Sequence, residues 1–157
     1  MIKLVWAQSM NGVIAKDNNL PWNIKEEMQH FVKTTINHDV LMGRKTWDSL
    51  YQKPLKHRKN IVLSHQKNLQ LPEGVLLISD LNNFIKPYQN SSKELIVIGG
   101  REVFDLVLPY ADELIVSYIK DNYVGDIYAP NINSDEWHST SVEPHLLFDV
   151  VTYVRNS

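Results

Sequence analysis

The sequence predicts an α/β fold in which helices cover both faces of a mostly parallel sheet, giving three layers. Two observations support this prediction. Apolar runs rich in β-branched residues, such as IVL and LIVI, are nearly continuous rather than alternating, as expected of strands buried on both faces. Segments with helical periodicity lie between these runs, so we expect parallel strands joined by right-handed crossovers.

Six short apolar runs are the candidates for the parallel strands. They are residues 2–7, 40–42, 60–63, 75–78, 95–98 and 114–119. Two further strands, at residues 137–143 and 148–155, follow each other across a short turn that contains Pro144. We therefore predict a C-terminal antiparallel hairpin that closes the sheet.

About four helices are predicted between the strands, at residues 24–35, 45–50, 81–88 and 102–108. The first is the clearest, because its apolar residues recur with a 3.6-residue period. Asn23 is its predicted N-cap, and Glu26 three residues later completes a capping box. We expect Asp80 to begin the third helix and Pro109 to end the fourth.

Composition and charge exclude several classes of protein. A chain of 157 residues, 43% hydrophobic and 22% charged, fits one globular domain. Its net charge of -2 argues against a general nucleic-acid or membrane-surface binder. The absence of cysteine excludes a disulfide framework, a thiolate metal site and a cysteine nucleophile. No apolar run has the length of a signal segment or a membrane span. We therefore expect a cytoplasmic monomer that binds neither nucleic acid nor a membrane.

Glu27 is the first residue that could carry chemistry. In the predicted helix it lies three residues after Ile24 and four before Phe31, so its side chain projects on or beside the apolar stripe. No Lys or Arg lies three or four residues away to pair with it. Burial in that position would raise its pKa. From the helix alone, a boundary residue whose carboxylate reaches water is the simpler interpretation.

The segment before this helix, residues 9–23, reads SMNGVIAKDNNLPWN. Asn11-Gly12 is a strong turn signal, and Leu20-Pro21-Trp22 leads directly into the helix. Such a long connection with several apolar side chains fits either a lid over a site or a loop that packs on the core. The local sequence favours neither interpretation.

Two strand-to-helix junctions combine glycine with basic residues. They are Gly43-Arg44-Lys45-Thr46 and Ile98-Gly99-Gly100-Arg101-Glu102. Glycine lets the backbone approach a ligand closely, and the N–H groups at a helix start attract anions. Either junction alone fits an ordinary solvated turn. Two of them in a chain of negative net charge suggest a ligand with more than one phosphate, although the G-x-G-x-x-G fingerprint is absent.

Ser64 and His65 follow the strand at residues 60–63. Together with Arg44 they could bind a phosphomonoester such as the 2′-phosphate of NADP, although a polar loop is the simpler interpretation.

The histidines show no spacing typical of metal ligands, so no metal site is predicted. A G-x-S-x-G nucleophile elbow is also absent. The residues interpreted as simple surface histidines are His30, His38, His57, His138 and His145.

The segments LPW, MGRKTW, R-x-N-I-V-L-S and V-I-G-G, with a late VGDIYAP, resemble the dihydrofolate reductase family. The match runs through nearly the whole chain. It implies an eight-stranded sheet with four helices in one domain, residues 1–157, with an adenosine-binding subregion at about 38–90. It also implies that NADPH lies across the carboxyl ends of the strands, that residues 9–23 form a mobile active-site loop, and that dihydrofolate and antifolate inhibitors bind.

The resemblance assigns the site residues by position. Those with catalytic roles are Leu20, Trp22 and Glu27. The substrate would contact Val5, Trp6, Glu27, Met28, Phe31, Leu50, Leu55, Arg58, Ile98 and Ser117. The cofactor would contact Ala7, Ile14, Gly43, Arg44, Lys45, Thr46, Leu63, Ser64, His65, Ile98, Gly99, Gly100, Arg101, Glu102, Val103 and Phe104. The Gly99–Gly100 peptide bond is expected to be cis, and Arg58 to bind the α-carboxylate of the glutamate tail as a bidentate fork.

The reaction that the resemblance implies serves one-carbon metabolism. Hydride passes from C4 of NADPH to C6 of dihydrofolate, and N5 is protonated. Glu27 would accept hydrogen bonds from N3 and the 2-amino group without reaching N5, so the proton would arrive through water. Closure of residues 9–23 would exclude bulk water.

Four residues depart from common family patterns. Glu27 stands where many bacterial members have Asp, Ser117 where Thr is common, and Phe104 where Tyr is also found. Ile127 replaces a common Thr, which predicts a missing hydrogen bond between loops.

Two alternative functions stay open at this point. A related NADPH-dependent pyrimidine reductase of the riboflavin pathway would not be expected to combine the helix carboxylate with Arg58. A non-catalytic NADPH-binding module would bind the cofactor without oxidising it.

Overall fold

The computed structural model describes all residues from 1 to 157. Strands and helices follow in the order β1 (Ile2–Gln8), β2 (Val13–Ala15), α1 (Lys25–Thr35), β3 (Asp39–Gly43), α2 (Arg44–Ser49), β4 (Lys59–Leu63), β5 (Leu76–Ile78), α3 (Leu81–Ile85), β6 (Leu95–Gly99), α4 (Arg101–Val107), β7 (Glu113–Ile119), β8 (Ile127–Tyr128), β9 (Trp137–Pro144) and β10 (Phe148–Arg155). Short 3-10 turns, Lys86–Tyr88 and Leu108–Tyr110, follow α3 and α4. None of the helices has the length and apolar character needed to cross a membrane.

Eight strands form one sheet in the order β5-β4-β3-β6-β1-β7-β10-β9. Only β10 runs antiparallel to its neighbours, and the other neighbouring pairs are parallel. The predicted fold, a mostly parallel eight-stranded sheet with a C-terminal antiparallel hairpin and four helices, is confirmed. The separate ribbon of β2 and β8 was not predicted, since each strand is too short to show a period.

The sheet has a helical layer on each face. Leu4 of β1 and Leu41 of β3 point into the core that α3 and α4 cover. Met42, the next residue of β3, points to the other face and packs against Trp47 of α2. On that second face, Ile24 at the start of α1 packs into a cluster around Trp22. We call the two sides the α3–α4 face and the α1–α2 face.

The predicted capping box at Asn23 is wrong. The N-cap of α1 is Ile24, which makes no side-chain cap hydrogen bond. Ile24 takes this position because its side chain packs on the Trp22 cluster, and that burial outweighs the local preference for a polar cap. The prediction for α3 is confirmed, since the Asp80 carboxylate accepts a hydrogen bond from the Asn83 N–H at 3.2 Å.

Two predictions about prolines are also corrected. α4 ends at Val107, and Pro109 lies inside the following 3-10 turn instead of ending the helix itself. Pro144 is the last residue of β9, paired with Asp149, and not part of the turn. β9 is an edge strand, where the missing N–H of proline breaks no hydrogen bond of the sheet.

The interpretation of His145 as a simple surface residue is wrong. Its ring stacks on Phe148 with 4.3 Å between ring centroids, and Phe148 is fully buried. Its Nδ1 lies 3.5 Å from a carboxylate oxygen of Glu26 in α1. His30 on the same helix is half-buried, and this burial lowers its pKa. The hairpin turn before β10 therefore packs on α1 through aromatic rings.

Candidate active site

Glu27 is a buried acid on the side of α1 that faces the sheet. The Glu27 side chain is 6% exposed and forms no ion pair, whereas the adjacent Glu26 is exposed. Burial raises the pKa of the Glu27 carboxyl above its ordinary value, and the Ser117 hydroxyl on β7 opposes this shift. Ser117 lies beside Ala7 of β1 in the sheet. The boundary-residue interpretation of Glu27 is therefore wrong, because the carboxylate lies between the helix and the central strands.

The loop of residues 9–23 has features of both a loop packed on the core and a lid over a site. Val13, Ile14 and Trp22 are buried, so the two ends of the loop pack on the core. The middle, residues 16–20, is exposed, and Leu20 is 49% exposed. The indole N–H of Trp22 is buried without a hydrogen-bond partner in the protein. The loop thus has anchored ends and an exposed middle that is available to cover a ligand.

Hydrogen bonds attach this loop to the residues on both sides of β8. The Met10 N–H donates to the Asp121 carbonyl at 2.8 Å. The Asn11 amide exchanges two hydrogen bonds with the backbone of Tyr123. The Ala129 N–H donates to the Gly12 carbonyl at 2.8 Å. These contacts fix the first part of the loop against its neighbour.

The same neighbour supports the tip of the loop through Asp126. Its backbone N–H donates to the Ala15 carbonyl at 3.1 Å, and its carboxylate accepts from the Asp17 N–H at 3.2 Å. Ile127 pairs with Ala15 in the β2–β8 ribbon and offers no hydroxyl. The contact between the loops is therefore made by backbone groups and the side chains of Asn11 and Asp126, instead of a side chain at position 127.

The two glycine junctions predicted from the sequence meet in the structure, because β3 and β6 are neighbouring strands. A Cβ atom at Gly43 would lie 2.7 Å from Val103 Cγ2 and 3.7 Å from the Gly99 carbonyl oxygen. The Thr46 hydroxyl lies over the Gly99–Gly100 pair, at 3.4 and 3.6 Å from the corresponding Cβ positions. The Gly99–Gly100 peptide bond is cis, as the resemblance predicts. The junctions form one continuous backbone surface.

Arg44 lies beside the polar segment that follows β4. Its Nη1 donates to the Gln66 side-chain oxygen at 3.0 Å, and its Nε donates to Asp48 at 3.3 Å. The Ser64 hydroxyl accepts a hydrogen bond from the Gln66 N–H at 3.1 Å. His65 is exposed next to this group. The structure thus brings together the three residues proposed for a phosphomonoester and adds Gln66.

Arg58 is held by hydrogen bonds that the sequence did not predict. Its Nη1 donates to the Thr35 hydroxyl at 3.0 Å, and its Nε donates to the Lys56 carbonyl at 2.9 Å. The buried Asn60 side chain accepts from the Leu55 N–H and donates to the carbonyls of Leu55 and Arg58. The Asn60 amide therefore fixes the loop that carries Arg58.

Thr35 and Asn60 are site residues that the sequence reasoning missed. A signal for Thr35 was its position eight residues after Glu27, on the same helix face. A signal for Asn60 was a polar amide at the start of a strand that is otherwise apolar.

The apolar residues predicted for the substrate lie on the α1–α2 face. Leu50, Leu55 and Ile98 pack around the cluster that contains Trp47. Val5 is buried in β1, Phe31 is half-buried, and Met28 is 48% exposed on α1. These side chains lie on the same face of the sheet as the buried Glu27.

Some predicted residues lie elsewhere. The Trp6 side chain is on the α3–α4 face, where it packs on Phe104 at 5.3 Å between ring centroids. Its indole N–H donates to the Gln8 side chain at 2.9 Å, and the Trp6 side chain lies on the face opposite Glu27. The Arg101 guanidinium is bound to Asp105 and to the Tyr128 carbonyl.

The remaining residues of the predicted cofactor set surround the glycine junctions. Lys45 and Glu102 are exposed, with 3.9 Å between their charged groups, and Asn18 at the tip of the loop donates to the Lys45 carbonyl at 2.8 Å. Leu63, at the end of β4, is partly buried and packs against the core on the α3–α4 face.

Comparisons with known proteins identify the family of this chain. The family model described as Dihydrofolate reductase matches residues 1–150. The chain is 50% identical over 129 residues to dihydrofolate reductase of Ureaplasma parvum, covering 82% of this chain and 81% of that protein. It is 42% identical over 133 residues to the Mycoplasma pneumoniae enzyme, with 82% of each chain covered.

A solved structure shows the same similarity in the fold. It is dihydrofolate reductase from Enterococcus faecalis in complex with NADP(H) and RAB-propyl. It superimposes with a TM-score of 0.93 at 29% identity, over 100% of this chain and 97% of that one. By sequence and by fold, the chain belongs to the dihydrofolate reductase family.

Proposed function

We propose that this protein catalyses the NADPH-dependent reduction of 7,8-dihydrofolate to 5,6,7,8-tetrahydrofolate. The observation that carries the proposal is the placement of Glu27 and Arg58. A buried acid without an ion-pair partner faces the central strands, and a tethered arginine lies near the other end of the same helix. This pair fits a ligand with hydrogen-bond donors at one end and a carboxylate at the other.

Glu27 is proposed to accept hydrogen bonds from N3 and the 2-amino group of the pterin. Its carboxylate is desolvated, so donors on a ligand would replace the water it has lost and stabilise the charged form. The negative charge near the ring would raise the basicity of N5, which then takes its proton from water. Ser117 lies beside Glu27 and, with Trp22, would help to orient the ring.

The residues at the carboxyl ends of the strands fit NADPH. Gly43 has no room for a side chain, and Gly99 has a φ of +124°, a conformation that side chains rarely adopt. The backbone there can approach a pyrophosphate closely, while Thr46 offers a hydroxyl. NADPH, when bound, supplies the hydride that reaches C6 of the pterin. We propose that residues 38–90 form the adenosine-binding subregion of a single domain, residues 1–157.

Residues 9–23 are proposed to close over the two ligands. Val13 and Trp22 hold the ends of the loop, and Leu20 in the exposed middle would pack on the nicotinamide and pterin. Closure would exclude bulk water from the hydride and strengthen the interaction of Glu27 with the ring. The monomeric state and the cytoplasmic location stay predictions of the sequence.

A spectrophotometric assay tests the proposed function. We expect NADPH to be oxidised only when 7,8-dihydrofolate is added, and a diaminopyrimidine antifolate to stop the reaction. Oxidation with a riboflavin-pathway pyrimidine but not with dihydrofolate would favour the pyrimidine reductase. NADPH binding without oxidation in either case would favour the non-catalytic module.

Arg44→Ala is expected to weaken the preference for NADPH over NADH. Loss of a charged hydrogen-bond donor to the 2′-phosphate should raise KM for NADPH by about 10- to 100-fold, while KM for NADH stays nearly unchanged. Steady-state kinetics with both cofactors measure this ratio. Lys67→Ala, which removes an exposed lysine from the polar segment after β4, is the control. An equal rise in both KM values would contradict the role of Arg44.

A further inference from the structure

We propose that Thr35 is a positioning residue that orients Arg58 towards the carboxylate of the substrate tail. The inference deepens the proposed function and rests on it, because Arg58 has this ligand only if the substrate carries the tail. Thr35 itself would touch neither the substrate nor the cofactor.

The hydroxyl of Thr35 has a defined direction. Thr35 is the last residue of α1 and is fully buried. Its Oγ1 donates to the Phe31 carbonyl at 2.8 Å and accepts from Arg58 Nη1 at 3.0 Å. A hydroxyl has a single proton, so the bond to the carbonyl leaves a lone pair as the acceptor for the arginine. Thr35 is therefore an oriented acceptor built into the end of the helix.

The bond to Thr35 completes the fixation of the guanidinium group. The Nε atom of Arg58 donates to the Lys56 carbonyl at 2.9 Å. Because the guanidinium is planar, contacts at Nε and at Nη1 define its plane, and the Nη2 end is left for a carboxylate. Without Thr35, Arg58 would be held at Nε alone and would rotate among several directions. A bidentate contact with a carboxylate depends on this direction.

The helix also fixes the distance between the two ends of the site. Glu27, Phe31 and Thr35 follow one another at four-residue intervals and lie on one face of α1. At 1.5 Å per residue, the Cα atoms of Glu27 and Thr35 are about 12 Å apart. The residue proposed to bind the pterin and the residue that holds Arg58 thus belong to one rigid element. Only a ligand that spans both ends should respond to loss of the Thr35 hydroxyl.

The chain offers a matched control in the preceding residue. The Thr34 hydroxyl donates to the His30 carbonyl at 2.8 Å, the same bond to the residue four positions earlier, and it does not contact Arg58. Thr34→Val therefore removes a comparable bond from the same turn of the helix. Thr35→Ser keeps the hydroxyl and removes only a methyl group.

The test compares two substrates in the unaltered enzyme and in these variants. One is 7,8-dihydrofolate, and the other is a 7,8-dihydropterin that lacks the p-aminobenzoylglutamate tail. We expect Thr35→Val to raise KM for dihydrofolate by about 3- to 10-fold, with kcat nearly unchanged. KM for the short substrate should stay the same, which also shows that the variant is folded. Thr35→Ser and Thr34→Val should resemble the unaltered enzyme with both substrates.

A double-mutant cycle with Arg58→Gln tests whether Thr35 acts through the arginine. In the Arg58→Gln background, Thr35→Val should have no further effect on KM for dihydrofolate. An additive effect, equal losses with both substrates, or a loss matched by Thr34→Val would overturn the inference. If the unaltered enzyme does not reduce dihydrofolate, the proposed function fails and the inference fails with it. If it does and Thr35→Val is neutral, the inference alone fails.

Discussion

Glu27→Gln is expected to lower kcat for dihydrofolate at neutral pH by about 100- to 10,000-fold, the range typical of a lost acid–base function. Gln can still form hydrogen bonds, but it carries no charge to raise the basicity of the pterin ring. Glu26→Gln, at the adjacent exposed position, is the control and should keep nearly full activity. Steady-state kinetics at pH 7 measure both variants. Equal activity of the Glu27 variant would remove this residue from the mechanism.

The same substitution is expected to stabilise the folded protein. Burial raises the pKa of Glu27 above its ordinary value of 4.5, so the folded state holds this proton to a higher pH than the unfolded chain. The contribution of Glu27 to stability therefore decreases as pH rises from the unfolded pKa through the folded pKa. Above that window the folded protein carries a desolvated charge, which Gln removes.

Thermal unfolding of the ligand-free proteins measures this effect. We expect Glu27→Gln to raise Tm at pH 7 by about 2–5 °C, because the buried charge is lost. The difference should disappear below about pH 4, where the carboxyl is protonated in both states. A Tm that falls at pH 7 would contradict the account of a buried, desolvated carboxylate.

Gly125→Ala is expected to have the second largest effect, because it separates the active-site loop from its support. A Cβ atom at Gly125 would lie 2.2 Å from Val13 Cγ1 and 2.6 Å from the Ala15 carbonyl oxygen, too close for any real contact. The β2–β8 ribbon would have to open by more than a side-chain adjustment. We expect kcat to fall by about 10- to 100-fold, since the loop could no longer reach its closed position.

Gly74→Ala is the control for this substitution. Gly74 has a φ of +86° but no atom within 4 Å of a Cβ, so alanine there adds backbone strain of about 1 kcal/mol without a clash. We expect its kcat to stay unchanged and its Tm to fall slightly. Stopped-flow and steady-state kinetics of both variants show whether the loss is specific to Gly125. Unchanged turnover in Gly125→Ala would show that contact between the two loops is not needed for catalysis.

The strands were predictable because their signal is local. Apart from Ser117, residues 95–98 and 114–119 are apolar without alternation, and side chains of the corresponding strands pack on both faces of the sheet. β2 and β8 were missed because they form only through each other, from segments more than a hundred residues apart. The N-cap of α1 was wrong for a related reason. Packing of Ile24 on the Trp22 cluster decides it, and that contact is not visible in the local sequence.

The site was predictable where a motif carries it and not where two distant residues meet. Gly43 and Gly99 are identified by their position between a strand and a helix beside basic residues, and the resemblance includes the same motifs. The sequence does not decide the burial of Glu27, since a helix period does not show what covers each face. Thr35 was missed because its partner Arg58 is 23 residues away in another element. Contacts of this kind follow from the order of the strands, which no single segment specifies.

The rate of hydride transfer in a single turnover, measured against pH, tests the central role of Glu27 most directly. For the unaltered enzyme, we expect a rate that is nearly constant at low pH and decreases above one pKa of the ternary complex. For Glu27→Gln, we expect a lower rate that falls about tenfold per pH unit throughout, because only substrate already protonated in solution reacts. The same profile and rate in both proteins would contradict the account.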